Sequence, residues 1–107
     1  MPKAKLTSVS TAIDKAFTAA GHRLPTSTYT TSPAAKNFQP GGFAYGIHNS
    51  NGGRFVLIGG GLPIEIDSVV VGAIGVSTGT PAQDEEVARA GVEAVLKWKG
   101  RREGAKL

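Results

Sequence analysis

The chain has 107 residues, enough for one small domain, with an ordinary apolar share of 40% and 15 glycines that gather in its middle. Cysteine is absent, which excludes a disulfide framework, a thiolate metal site and a redox pair. No run approaches the ~18 consecutive apolar residues of a membrane span, and no apolar stretch follows Lys3 and Lys5. A secretory signal is therefore not expected, and the cytoplasm is the expected compartment.

The net charge of +4 is unevenly placed. Basic and acidic groups cancel over residues 1–96, and the excess lies in "KWKGRREGAKL" at the end. A basic end attracts nucleic acid or anionic surfaces when it belongs to a recognised module or interleaves aromatics. Neither holds here, so a solvated tail over residues 99–107 is expected, with no nucleic acid and no membrane as partner.

In chain order, residues 1–8 read as a flexible end. "SVSTAIDKAFTAAG" reads as a helix, with Ser10 as N-cap, Asp14 near its positive end and Gly21 as its stop. Val9, Ile13, Phe17 and Ala20 share one face by helical spacing and need a surface to pack on. Residues 22–42 read as an ordered loop with one short helical turn around Pro33 to Phe38. "FAYGIHNS" and "RFVLI" read as two strands, a hairpin bent at Asn51-Gly52-Gly53.

"GGGLPIEI" then crosses to another layer, and Asp67-Ser68 turns the chain into "VVVGAIGVS", the best strand signal. Gly72 and Gly75 inside that strand predict a close neighbour, either the last helix or a partner chain. Thr80-Pro81-Ala82-Gln83 fits a capping box, with Pro81 at the first helical position. Asp84, Glu85 and Glu86 complement the dipole of the helix that follows. Val87, Gly91, Ala94, Val95 and Trp98 form its apolar stripe, and Gly100 its expected end.

Candidate chemistry is sparse. His22 and His48 stand far apart, without zinc-ligand spacing. Each reads first as a loop or strand-end imidazole, and second as a haem ligand or general base. Ser77 has no nucleophile-elbow context. Glu65 and Asp67 share a strand side and read as a solvated face before a metal or acid–base pair. Arg54 suits a bidentate carboxylate contact in a pocket, or is a polar flank on an edge. Ser77-Thr78-Gly79 is either a plain strand-to-helix corner or an anion site at a helix start. The acids of the next turn favour the corner. "GGGLP" lacks the spacing of a nucleotide-binding loop.

Several linked motifs, in order, resemble the GlcG/HbpS family (DUF336), the haem-degrading domain also found at the C-terminus of PduO-type proteins. They are the Gly60–Ile64 crossing, "VVGAIGVS" over 70–77, the helix start from Thr80 to Glu85, and "IDKAFTAA…LPT" over 13–26. The family usually has Asp-Gly where this chain has Asp67-Ser68, and Ser-Gly-Gly where it has Ser77-Thr78-Gly79. Both read as small changes of turn chemistry. The resemblance implies an α+β fold, a profilin-like layer of antiparallel sheet with flanking helices. It spans residues 9–98 as a partial domain, N-terminally truncated, with three or four strands and two main helices left.

The resemblance further implies haem or a related tetrapyrrole as ligand, and an oligomer. The front helix and hairpin would come from another chain or a second copy. His48 is the candidate haem ligand, though it matches no family ligand position. His48, Asn49, Arg54, Gly59, Gly60, Gly61, Ser77 and Thr78 are the candidate ligand-binding residues. The alternative is a subunit of an enzyme acting on a small organic acid or aromatic catabolite, with His48, Asn49, Arg54 and the Gly59–Gly61 loop around its substrate. A purely structural or regulatory subunit is the third reading.

Overall fold

The computed structural model describes residues 6–105. Helix α1 runs over Leu6–His22, so residues 6–8, expected as part of a loose end, form its first turn. The remainder of that expected end, residues 1–5, lies outside the described residues. Gly21 is inside α1 rather than its stop. The helix closes at Arg23, whose φ of 60° is left-handed. Two short pieces follow, α2 (Thr28–Thr31) and a 3-10 helix over Pro33–Phe38. The second is the helical turn expected there. The Ser32 side chain accepts from the Ala34 N–H at its start, and Pro33 fixes its first φ.

The expected "FAYGIHNS"–"RFVLI" hairpin is not formed. Residues 43–54 are turns and two single-turn 3-10 helices, Ile47–Asn49 and Asn51–Gly53. Their N–H groups are used up locally: Ile47 donates to the Ala44 carbonyl, Asn49 to Gly46, and Arg54 to Asn51. Positive φ at Gly46 (93°) and Asn51 (56°) breaks the extended run twice. The Phe55–Leu57 segment joins no ladder, and the Val56 N–H donates to Thr18 Oγ1 of α1 at 3.0 Å. A short apolar run flanked by turn signals thus docks on a helix instead of pairing with a strand.

The sheet is one antiparallel pair, β1 (Gly61–Ile66) and β2 (Val69–Gly75). Asp67 and Ser68 join them with φ of 53° and 66°, the left-handed pair that a two-residue hairpin loop needs. Register runs from Gly61 opposite Gly75 to Ile66 opposite Val69, and skips Val71 as a bulge between Ile64 and Glu65. The close neighbour of β2 is α1: a Cβ on Gly75 would lie 1.9 Å from the Ala12 carbonyl oxygen. Gly72 has no such approach, with only Ile64 Cδ1 at 3.8 Å.

Helix α3 (Pro81–Ala105) covers the other side, with Ile74 seated against Gly91. Adjacent strand residues point to opposite faces, so Ile74 and Gly75 separate the two helices. The capping box forms as expected: Gln83 N donates to Thr80 Oγ1, and Thr80 N to Gln83 Oε1. Gly100 does not end α3. Glycine inside a helix costs only about 1 kcal/mol, and the Lys99–Glu103 ion pair bridges that turn.

The core is small: Ala19, Tyr29, Ala35, Phe55, Leu62 and Ala88 are its buried apolar residues. The chain is an α+β fold of helices on an antiparallel hairpin. Among the described residues no helix is long and apolar enough to cross a membrane.

Candidate functional site

The strand-to-helix corner is organised by a residue that periodicity alone does not single out. Lys15 lies on the α1 face that carries Ala12, Ala16 and Ala19, and its side chain is 1% exposed. Its Nζ donates to Asp84 Oδ2 at 3.0 Å and to the Val76 carbonyl at 2.8 Å. Asp84 Oδ1 accepts from the Gly79 N–H at 2.9 Å. One buried ion pair thus fixes α1, the end of β2 and the first turn of α3 together.

Gly60 and Gly61 are buried behind this pair. Gly60 has φ of 125°, and a Cβ there would meet Val76 O at 2.6 Å and Lys15 Nζ at 2.7 Å. The Gly61 N–H donates to Thr26 Oγ1, and its carbonyl accepts from the Thr26 N–H. Gly59, also buried, lines a cavity of about 390 Å³ together with Ser27, Thr30, Thr31, Thr80, Pro81, Ala82 and Glu85. Ser77 and Thr78 line a second hollow of about 290 Å³ beside Val9, Ala12 and Ile13 of α1.

The remaining candidates lie elsewhere. Arg54 pairs with Asp14 at 3.0 Å, and its guanidinium sits 3.9 Å over the Phe17 ring. His48 is exposed on the 3-10 turn next to Asn49, and neither ring nitrogen has a hydrogen-bond partner among the described residues. Tyr45 approaches it edge-on at 6.4 Å, and Phe43 on the same segment is 88% exposed. The structure therefore does not gather the eight candidates into one pocket, and neither cavity is lined by His48, Asn49 or Arg54.

His22 is engaged: its Nδ1 shares a 2.8 Å hydrogen bond with Tyr29 Oη, and Phe55 stacks edge-on against the ring. Burial pushes the Tyr29 hydroxyl pKa up. Glu65 and Asp67 are exposed, and among the described residues no three His, Asp or Glu side chains gather for a metal ion.

Two of these features bear on haem. A porphyrin needs apolar faces and an available axial donor. The Phe43–His48 segment offers an unpartnered imidazole beside the exposed Tyr45 ring, with Phe43 exposed on the same segment, and α1 exposes Val9, Ile13 and Phe17. The donor set fits the group.

A hairpin held between two helices through a buried lysine–carboxylate pair defines a small α+β module with no complete catalytic constellation among the described residues. The chain matches the family model "Haem degrading protein HbpS-like" over residues 1–93 and belongs to that family. It is 38% identical over 93 residues to an uncharacterized 15.0 kDa protein of the dhaT-dhaS intergenic region of Citrobacter freundii, covering 87% of this chain and 62% of that one. It is 34% identical to the corrinoid adenosyltransferase PduO of Salmonella typhimurium, over 89% of this chain and 27% of PduO.

Among solved structures it resembles Klebsiella pneumoniae ORFY, of family DUF336, with TM-score 0.78 and 33% identity over 87% of this chain and 61% of that one. A PduOC:heme complex is similar at TM-score 0.76 and 32% identity, over 88% and 64% of the two chains. The chain thus spans less than two thirds of the length of each of these relatives.

Proposed function

We propose that this protein is a haem- or tetrapyrrole-binding module. The observation that carries the reading is His48, an exposed imidazole with Tyr45 edge-on to it and an exposed Phe43 five residues before it in the chain. Two likenesses support it: the family is described as haem-degrading, and a similar structure was solved as a heme complex. His48 would hold the iron, and Phe43 and Tyr45 would shield an edge of the ring from water. Bound haem would supply a redox-active iron. The enzyme-subunit alternative has less support, because Arg54 is already paired and Gly60 and Gly61 are enclosed.

The experiment is a hemin titration of the full chain, read in the Soret band. A saturable shift is expected, with an altered band position and weaker binding in His48→Ala. No saturable shift sinks the reading, and a shift identical in His48→Ala removes His48 as ligand.

We also infer that a companion polypeptide covers the exposed α1 stripe and the outer edge of β2. The family resemblance implies that this companion supplies a front helix and hairpin. Val9, Ile13, Val69 and Val71 are each more than half exposed, an unusual density of large apolar groups for a free surface. An unladdered strand edge invites an added strand. Size-exclusion of the chain alone, and then with the unspanned segment of the Klebsiella relative, tests this. Co-elution is expected, while a well-dispersed monomer that ignores the segment refutes it.

A further inference from the structure

The two single-turn 3-10 helices that replace the expected hairpin meet at "SNGG", residues 50–53. The chain has three asparagines, Asn37, Asn49 and Asn51, followed by Phe38, Ser50 and Gly52. Only after Asn51 does the next residue lack a side chain. Only there can the following backbone nitrogen approach the side-chain amide carbon without steric hindrance.

The structure leaves that approach open. Asn51, Gly52 and Gly53 are exposed, and a Cβ on Gly52 would have nothing within 4 Å. The Gly52 N–H donates to no backbone acceptor among the described residues. By contrast, the Ser50 N–H that follows Asn49 is held by the Ile47 carbonyl at 2.9 Å. Asn37 is half-buried inside the Pro33–Phe38 helix, and its carbonyl accepts from the Ala44 N–H. Around Asn51 the turn has no buried residue and rests on two backbone bonds, Gly53 to Ser50 at 3.0 Å and Arg54 to Asn51 at 3.2 Å. The Asn51 side-chain amide is held by one exposed contact, from Nδ2 to Ser50 Oγ at 3.1 Å. A segment with no buried contacts and exposed hydrogen bonds opens at little cost.

We propose that Asn51 is a site of spontaneous deamidation. When the turn opens, the Gly52 nitrogen attacks Asn51 Cγ and a new C–N bond forms. The Cγ–Nδ2 bond breaks, and the amide leaves as ammonia with the proton lost from the Gly52 nitrogen. Water then opens the cyclic imide at either carbonyl, giving aspartate or isoaspartate. Both products carry a carboxylate in place of a neutral amide, so the formal net charge of +4 falls by one. In isoaspartate the main chain is also longer by a methylene, and the i→i+3 spacing of the turn is lost. The site lies between His48 and Arg54 in the chain and does not depend on the haem reading.

The test ages the purified full chain in mildly alkaline buffer, resolves it by cation exchange, and maps it after brief trypsin digestion against an unaged sample. Cleavage after Lys36 and Arg54 places all three asparagines in one peptide, so Asn37 and Asn49 serve as internal controls. Electron-transfer fragmentation distinguishes aspartate from isoaspartate. An earlier-eluting form is expected to accumulate with both isomers at residue 51, an order of magnitude faster than any conversion at Asn37 or Asn49. Asn51→Gln, whose longer side chain cyclises far more slowly, is expected to lack this form. An elution profile that does not change with age, conversion at Asn37 or Asn49 as fast as at Asn51, or the same acidic form in Asn51→Gln overturns the proposal.

Discussion

Lys15 and Asp84 show how one pair of side chains can outweigh an apolar stripe. Their side chains are 1% and 5% exposed, and removing one partner of a buried ion pair strands the other's charge. Lys15→Met is expected to destabilise the chain by about 3–5 kcal/mol. Adding Asp84→Asn to that variant should restore part of the loss, because no charge is then left buried; urea unfolding of the three chains measures both effects. Tyr29 gives a pH signature. Burial raises its pKa above the ordinary value of 10.0, so the folded state favours the protonated phenol. The corresponding stability is fully present below about pH 10 and falls as pH rises beyond it. Tyr29→Phe should lose about 1 kcal/mol with the His22 hydrogen bond and lack this alkaline decline, as thermal melts across pH would show.

Among the elements, both turn departures from the family pattern fall on left-handed backbone. Ser68 has φ of 66° and Thr78 φ of 125°, the latter a costly conformation for a β-branched residue. They are larger changes than their chemistry suggests. Thr78→Gly is expected to stabilise the chain by about 1 kcal/mol after the entropic cost of glycine, and Ser68→Gly by less; denaturant midpoints will rank them. The elements best written in the sequence are those with local chemistry of their own: the Thr80 capping box, the Asp67-Ser68 hairpin and the Ser32-Pro33 turn. "FAYGIHNS" was misread because apolar content there has no partner strand, and i→i+3 turns satisfied its backbone instead. The site was less legible. Lys15 reads as one more surface cation until α1 is laid on β2, and Asp84 as a dipole complement until it meets Lys15 in the interior.

At the scale of the whole molecule, the shape is extended. The radius of gyration is 15.1 Å, against about 13 Å for a compact chain of this length. Helix α3 accounts for much of the difference. Its 25 residues span about 37 Å, and among the described residues Ala88 is its last buried apolar side chain. Meanwhile Val9 and Ile13 are more than half exposed along α1. Ile13→Glu is therefore expected to change the stability of the isolated chain by no more than about 0.5 kcal/mol while abolishing association with the completing segment. Paired melts and size-exclusion runs separate the two effects.

The outer half of α3 also carries the chain's single tryptophan, Trp98, 55% exposed with the Arg102 guanidinium 5.5 Å from its ring centre. Tryptophan emission, excited to the red of tyrosine absorption, therefore comes from one address. A blue shift on assembly would mean that the companion reaches along the helix to its far end. Constant emission beside clear co-elution would confine the join to the α1 flank.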